Sequence, residues 1–395
     1  MAQSSSSAIK LYAKTGLNLQ QVESYYDEVV IHLSPKEKEI TKKIFDKFVN
    51  KCFRKTDTSK HLMTIENSNR FVSRPIVYAD VWKMFKLQLS CFWTINDIDF
   101  KTELEHFKTL NKHEQHFIRH ILAFFAAFDG IVVENIAGRL AHEAQIQEVK
   151  SFYAVQQAVE AIHGDVYGEL IDVIIPDNEE KQKLFEASKN FPVIKRKENW
   201  AKKWLEDSCD LGENVVAFAV IEGVFFSGAF ACIYWIKEKN LMPALTLSNE
   251  FISRDEGIHR DFACLILRKN IVKLPPREKV IKIITDAVTI EKTFLVQALP
   301  VNLIGLSCEK MSMYIEYVAD KLLEKMGLEI HYCTSNPLDF MCNIAIENKT
   351  NFFERRVSEY QKPDLTNYNT HRKQTSKCEM QQQTKDCYTD LDYDF

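Results

Sequence analysis

Apolar residues recur three and four positions apart along most of this chain, and no run alternates long enough to make a convincing strand. A charged helix is predicted over residues 36–54, starting at Pro35 with Ser34 as its N-cap. The segment TDTSKHLMTIENSNR lacks the period and reads as a loop, and Arg74 is extended because it precedes Pro75. In YADVWKMFKLQLSCFW, Trp82, Phe85, Leu89 and Phe92 fall at helical spacing, a pattern that makes Trp82 a core aromatic. Helical periods then cover 102–128 (one helix or a pair), a continuation through GIVVENIAGRLAHEAQIQEV, and about 145–175, 179–189, 196–208, 212–239, 245–268, 277–297 and 300–326. Leu241-Met-Pro243 and Pro275-Pro276 interrupt the pattern, and a short helix follows Asn336-Pro. From about Lys362 the chain is polar and poor in aliphatic residues, the composition of a disordered tail.

This pattern predicts an all-α chain. It divides into a flexible arm over 1–33, a helical domain over 34–350 and a mobile tail over 351–395. Composition supports helices: Gly 11 and Pro 10 are few for 395 residues. A net charge of −4 gives no basic footprint for nucleic acid. The 10 cysteines form no C-x-x-C pair, which suits free thiols in a reducing, cytoplasmic setting. The N-terminus has no apolar signal-like core. From Val215 to Ile236 the only charged residue is Glu222, and the run is long enough to cross a bilayer. A central carboxylate is costly in lipid and no second span is evident, so the run reads as the central helix of a bundle.

Candidate chemistry starts in SFYAVQQAVEAIHGDVYGELI. As a helix this puts Glu160, His163 and Tyr167 within roughly a 60° arc, on a face edged by Val159, Val166 and Leu170. An inward carboxylate and imidazole need a partner, and a metal ion serves both. The pattern returns at Glu256 and His259. A third E-x-x-H, Glu103 to His106, lies among Lys101, Glu105 and Lys108 and reads as a solvated face. His113, His116 and His120 have ligand spacing but charged neighbours. Four-helix di-metal proteins take one carboxylate from each of two helices and an E-x-x-H from each of the other two. Asp129, which could equally be an N-cap, and Glu222 are the candidate single carboxylates. Four carboxylates and two imidazoles suit iron or manganese. Phe226 and Phe230 follow Glu222 at helical steps of four, either as plain core or as a screen against water.

At these residues the chain resembles the small, radical-generating subunit of class I ribonucleotide reductase. The stretches that carry the likeness are LAFFAAFDGIVVEN, VEAIHGDVYGELI, VVAFAVIEGVFFSGAFA, LTLSNEFISRDEGIHRDFA, ALPVNLIG, NPLDFM and TNFFERRVSEYQ. The resemblance implies a ferritin-like helical bundle with a buried di-metal carboxylate site. It implies two irons per chain, one held by Asp129, Glu160 and His163, the other by Glu222, Glu256 and His259, with manganese as the alternative metal. Tyr167 matches the radical-bearing tyrosine, and Phe226, Phe230 and Ile252 match its apolar pocket. Trp82, Asp255 and His163 match the relay toward the surface, and Tyr360 the redox tyrosine of the tail. The end of the tail at Phe395 resembles the segment that docks on the large catalytic subunit, and the chain is expected to be a homodimer. Two departures stand out: the polar insert THRKQTSKCEMQQQTKDC, whose Cys378 and Cys387 read as incidental, and an unmatched stretch of about 65 residues at the N-terminus. Iron storage or a di-iron oxidase is the alternative on the same ligands; a non-catalytic relative is disfavoured by the intact ligand set.

Overall fold

Asn111 opens the first helix that matters for the site. Its side chain accepts the N–H groups of His113 and Glu114, while Glu114 reaches back to the N–H of Asn111, a reciprocal cap. In this computed structural model of the chain, the described residues are Tyr26, 30–32, 34–52, 61–67, 71–208, 210–298 and 306–341. Two units separate, Met1–Cys342 and Asn343–Phe395. The second lies outside the described residues, with Tyr360, Cys378, Cys387 and Phe395 in it; so does most of the arm.

The principal helices are α1 (Pro35–Cys52), α2 (Ala79–Ser90), α3 (Glu103–Thr109), α4 (Lys112–Asn135), α5 (Gln147–Ile174), α6 (Asn178–Phe185), α7 (Pro192–Leu205), α8 (Leu211–Val220), α9 (Ser227–Lys237), α10 (Pro243–Arg268), α11 (Arg277–Lys292) and α12 (Cys308–Met326). No strand occurs among the described residues. The α4 and α5 helices pack along each other, and α10 packs on α5, α8 and α9. The α2 helix lies across α5 and α10, while α11 and α12 close the far side of α8 and α9. At the start of α1 the Glu37 carboxylate accepts both the N–H and the hydroxyl of Ser34, the residue before Pro35. Among the described cysteines, those at 232, 264, 308 and 333 are free thiols.

Among the described residues, three π-helical turns interrupt this regularity: Ile136–Leu140, Ile221–Phe225 between α8 and α9, and Thr293–Ala298 after α11. Such turns concentrate at functional positions. The membrane-like run is α8, its π turn and α9, nearly all of it buried by other helices. The helical run Lys112–Glu143 is also long and apolar enough to span a bilayer, so the absence of a second such stretch is corrected.

Two other expectations are corrected. On α2 the inward positions are Val81 and Gln88, whereas Leu89 and Phe92 are each 41% exposed. The apolar stripe read from spacing thus faces outward, and Trp82 is only half-buried. Glu103 is not on a solvated face but fully buried: its carboxylate accepts the N–H groups of Ala244 (2.9 Å) and Leu245 (3.0 Å). It caps α10, whose preceding residue Met242 has a left-handed φ of 54° and supplies no side-chain cap. Glu148 of α5 likewise accepts the N–H groups of Val77 (2.7 Å) and Tyr78 (3.1 Å), fixing the start of α2 on α5.

Candidate metal centre

The spacing of the two E-x-x-H copies does what a helix requires of it. Glu160 and His163 project from α5, Glu256 and His259 from α10, and all four are buried. Glu222 comes from the π turn between α8 and α9, and Asp129 from the interior of α4, so Asp129 is not an N-cap. Ligand atoms of Glu160, Glu222, Glu256 and His259 lie within 4.8 Å of one another. Nδ1 of His163 lies 3.0 Å from Oε1 of Glu256 and 3.3 Å from Oε2 of Glu160. Nδ1 of His259 lies 2.8 Å from Oε1 of Glu160 and 3.2 Å from Oε2 of Glu256. Glu160 and Glu256 therefore each reach both imidazoles, the placement of carboxylates able to bridge two cations.

Donor chemistry fits a metal pair. Oδ2 of Asp129 and Oε2 of Glu222 are buried with no hydrogen-bond partner, while Oε2 of Glu160 and Nδ1 of His163 meet each other at 3.3 Å without hydrogen-bond geometry. Unpaired buried acceptors are costly, and here they converge on one place. Burial, reinforced by Glu160, raises the Asp129 carboxyl well above its usual range; burial and Glu256 do the same for Glu222. Burial works against a charged His259, but Glu160 and Glu256 outweigh it and bring the ring to about 9. Protons occupy the place of cations in this charge balance.

The outward ring nitrogens are held. Nε2 of His163 lies 3.3 Å from Oδ2 of Asp255, and the same oxygen accepts the indole N–H of Trp93 at 2.7 Å. Arg254 donates to Oδ1 through Nη2 (2.9 Å) and Nε (3.1 Å). Burial would raise the Asp255 carboxyl, but these donors outweigh it and hold it below the usual range. The tryptophan beside Asp255 is thus Trp93, and the expectation of Trp82 is corrected: Trp82 packs on Phe85 at 4.8 Å under Lys86 and Arg74. Nε2 of His259 meets the Gln88 amide at 2.7 Å, and Gln156 donates to Glu222 (3.1 Å) and Glu160 (3.3 Å). Turning the Gln88 amide round would let its unpartnered Oε1 accept from the ring and leave Nδ1 for a metal. Sequence reasoning missed Trp93, Gln88, Gln156 and Arg254; Gln156, four residues before Glu160, was the one with a readable spacing.

Tyr167 is 1% exposed and its hydroxyl has no partner. Burial, then the charge of Asp129, raises the phenol well above its ordinary value, so it stays protonated. Phe125, also missed, stacks on the Tyr167 ring at 4.6 Å and touches Phe230 (5.2 Å) and Phe226 (5.7 Å). Ile252 is buried on α10. The His113, His116 and His120 series stays apart from this centre: the His116 and His120 rings lie 3.9 Å apart, and burial lowers His120 to about 4.

Comparison with known proteins places this arrangement. The family model described as "Ribonucleotide reductase, small chain" matches residues 70–337. The ribonucleoside-diphosphate reductase small chain of vaccinia virus (strain Ankara) is 52% identical over 296 residues, 75% of this chain and 92% of the relative. Its counterpart in Yaba-like disease virus is 53% identical over 295 residues, covering 74% and 90%. Among solved structures, the ribonucleotide reductase Rnr4 homodimer from Saccharomyces cerevisiae matches with a TM-score of 0.68 and 32% identity, over 81% of this chain and 99% of that one. The dimanganese(II)-NrdF of Streptococcus sanguinis, at 16% identity and a TM-score of 0.61, covers 69% and 97% and shares the fold. The bundle is the ferritin-like one of these structures, and the chain belongs to the ribonucleotide reductase small-chain family, as the small subunit of a class I ribonucleoside-diphosphate reductase.

Proposed function

We propose that the centre holds two metal ions, iron in the working form, and that Tyr167 stores the oxidising equivalent used in reducing ribonucleotides to deoxyribonucleotides. Asp129 with His163, and Glu222 with His259, would hold one ion each, with Glu160 and Glu256 reaching both. When bound, such a pair supplies oxidising power drawn from dioxygen, enough to take one electron and one proton from Tyr167. The carrying observation is the set of unpartnered donors converging beside a fully buried tyrosine.

The remaining work falls to side chains. Phe125, Phe226 and Phe230, with Ile252, exclude water and slow quenching of an oxidised Tyr167. Asp255 holds His163 in the tautomer whose Nδ1 faces inward, and its shared Oδ2 joins that ring to Trp93. Trp93, in the role expected of Trp82, starts the route by which the oxidising equivalent leaves, with Tyr360 further along. The tail ending at Phe395 docks on the large catalytic subunit, and two copies of this chain pair as the yeast protein does. The chain acts in the cytoplasm. Iron storage needs no hydrogen-bonded line from a ligand to an indole, so the Trp93–Asp255–His163 contact favours the reductase reading.

Adding Fe(II) and then oxygen to the metal-free chain should give oxo-bridged ferric absorption and a tyrosyl EPR signal that Y167F abolishes. Two irons bound with no radical would transfer the assignment to a storage or oxidase role.

A further inference from the structure

The pair Lys197 and Glu291 lies outside the ligand set. Both side chains are 0% exposed, and Nζ of Lys197 sits 2.5 Å from Oε2 of Glu291. Burying two opposite charges rarely stabilises more than a well-packed apolar pair would. What an apolar pair cannot do is donate a hydrogen bond. Nζ of Lys197 donates to the carbonyl of Phe225 at 3.2 Å. Phe225 ends the π turn Ile221–Phe225 that carries Glu222. Where a helix changes its hydrogen-bond step, a carbonyl needs a donor from elsewhere. The neighbouring carbonyl, that of Val224, is met in the same way by Oγ of Ser227 at 2.9 Å.

The surroundings leave the ammonium little freedom. It lies 3.7 Å from the ring centre of Phe124, 4.0 Å from that of Phe294 and 5.0 Å from that of Phe225. Phe124 contacts Phe226, so the ammonium sits behind the aromatic wall that encloses Tyr167. Gly228 lies close behind Glu291. A Cβ on Gly228 would come 2.0 Å from Cδ1 of Leu295 and 3.0 Å from Oε1 of Glu291, so only glycine allows α9 this close to the turn after α11.

We propose that Lys197 and Glu291 are positioning residues for the metal centre: the ammonium pins the end of the π turn and thereby sets where Glu222 points. The inference rests on the metal-centre reading above. It separates the Glu222 side of the centre, which depends on this clamp, from the Asp129 side on α4.

The test uses the full-length chain with the double substitution K197M/E291M, which removes both charges and should fold, since such replacements are often neutral. Cobalt(II) titration followed by visible absorption and calorimetry should show the first ion bound much as before and the second weakened about tenfold or more. Hydrogen exchange of the metal-free chain should speed up about tenfold at the amides of 222–226 and stay unchanged in α12. The S227A variant, which carries no buried charge, should speed the same amides about threefold and stands in if the double variant does not fold. Unchanged exchange at 222–226 together with two ions bound at unaltered affinity would overturn the proposal. If the unaltered chain binds fewer than two cobalt ions, the metal-centre reading fails, and the exchange comparison decides whether Lys197 holds the turn.

Discussion

Stripping the metal pair and titrating it back across a pH series perturbs the centre where its electrostatics are most exposed to measurement. Without cations, burial and neighbouring carboxylates raise Asp129 and Glu222 well above the usual carboxylate range. Burial opposes charge on His163, but Asp255, Glu160 and Glu256 outweigh it; His259, by the same balance, reaches about 9. His259, at about 9, holds a proton through the neutral range that the ions must displace, so at least about one proton should leave per pair bound. Each displaced proton adds about one logarithmic unit of affinity per pH unit, so the product of the two binding constants should climb at least about tenfold per pH unit between about pH 6 and 8. Above about pH 9 His259 is already neutral and the slope should flatten. Stability follows the same sign. Groups with raised values bind protons more tightly folded than unfolded. The contribution of His259 is complete below its unfolded value near 6.5 and is lost as pH rises through about 9. Melting curves of chelated and metal-loaded protein should therefore diverge as pH rises from about 6 to 9. Calorimetric titration with Mn(II) in buffers of different ionisation enthalpy counts the protons directly. A total release well below about one would refute the argument, because it would mean that His259 is not proton-loaded in the absence of metal.

Other outcomes follow from single contacts. W93F removes the 2.7 Å donor to Asp255 and should leave the radical formed but cut nucleotide reduction about a hundredfold or more, whereas W82F should stay within about threefold; equal losses in assays with the large subunit would contradict the geometry. E103A strands the N–H groups of Ala244 and Leu245 and should cost about 2–3 kcal/mol in urea unfolding; a cost under about 0.5 kcal/mol would remove its capping role. F125A takes away the ring stacked on Tyr167, should lower stability by about 3–5 kcal/mol and shorten the EPR lifetime of the radical; an unchanged lifetime would show that the wall does not exclude water.

The sequence spoke clearly wherever function coincides with a helical period. Glu160, His163, Tyr167, Glu256 and His259 could be placed because offsets of three and seven define one face whatever surrounds them. Glu222 declared itself as the lone charge in an apolar run. Trp93 could not be found this way: it follows Cys91, where α2 has already ended, so no period governs its direction. Trp82 was misplaced because an apolar stripe does not say which side faces the core; on α2 the buried polar Gln88 marks that side. Glu103 looked solvated among charged neighbours, since its partners lie 141 and 142 residues away. Lys197 sits in KRKENW, where nothing local distinguishes its buried ammonium from the two exposed cations Lys195 and Arg196.

The two faces of α2 carry one more consequence. Gln88 touches His259 from the inside, while Leu87, one residue earlier, is 37% exposed on the outside. A helix with its side chains is about 10 Å across. The centre is therefore sealed against water yet separated from bulk solvent on this side by the width of one helix. An electron can cross such a gap where a water molecule cannot, and a spin label at position 87 would report on the ions from outside the seal.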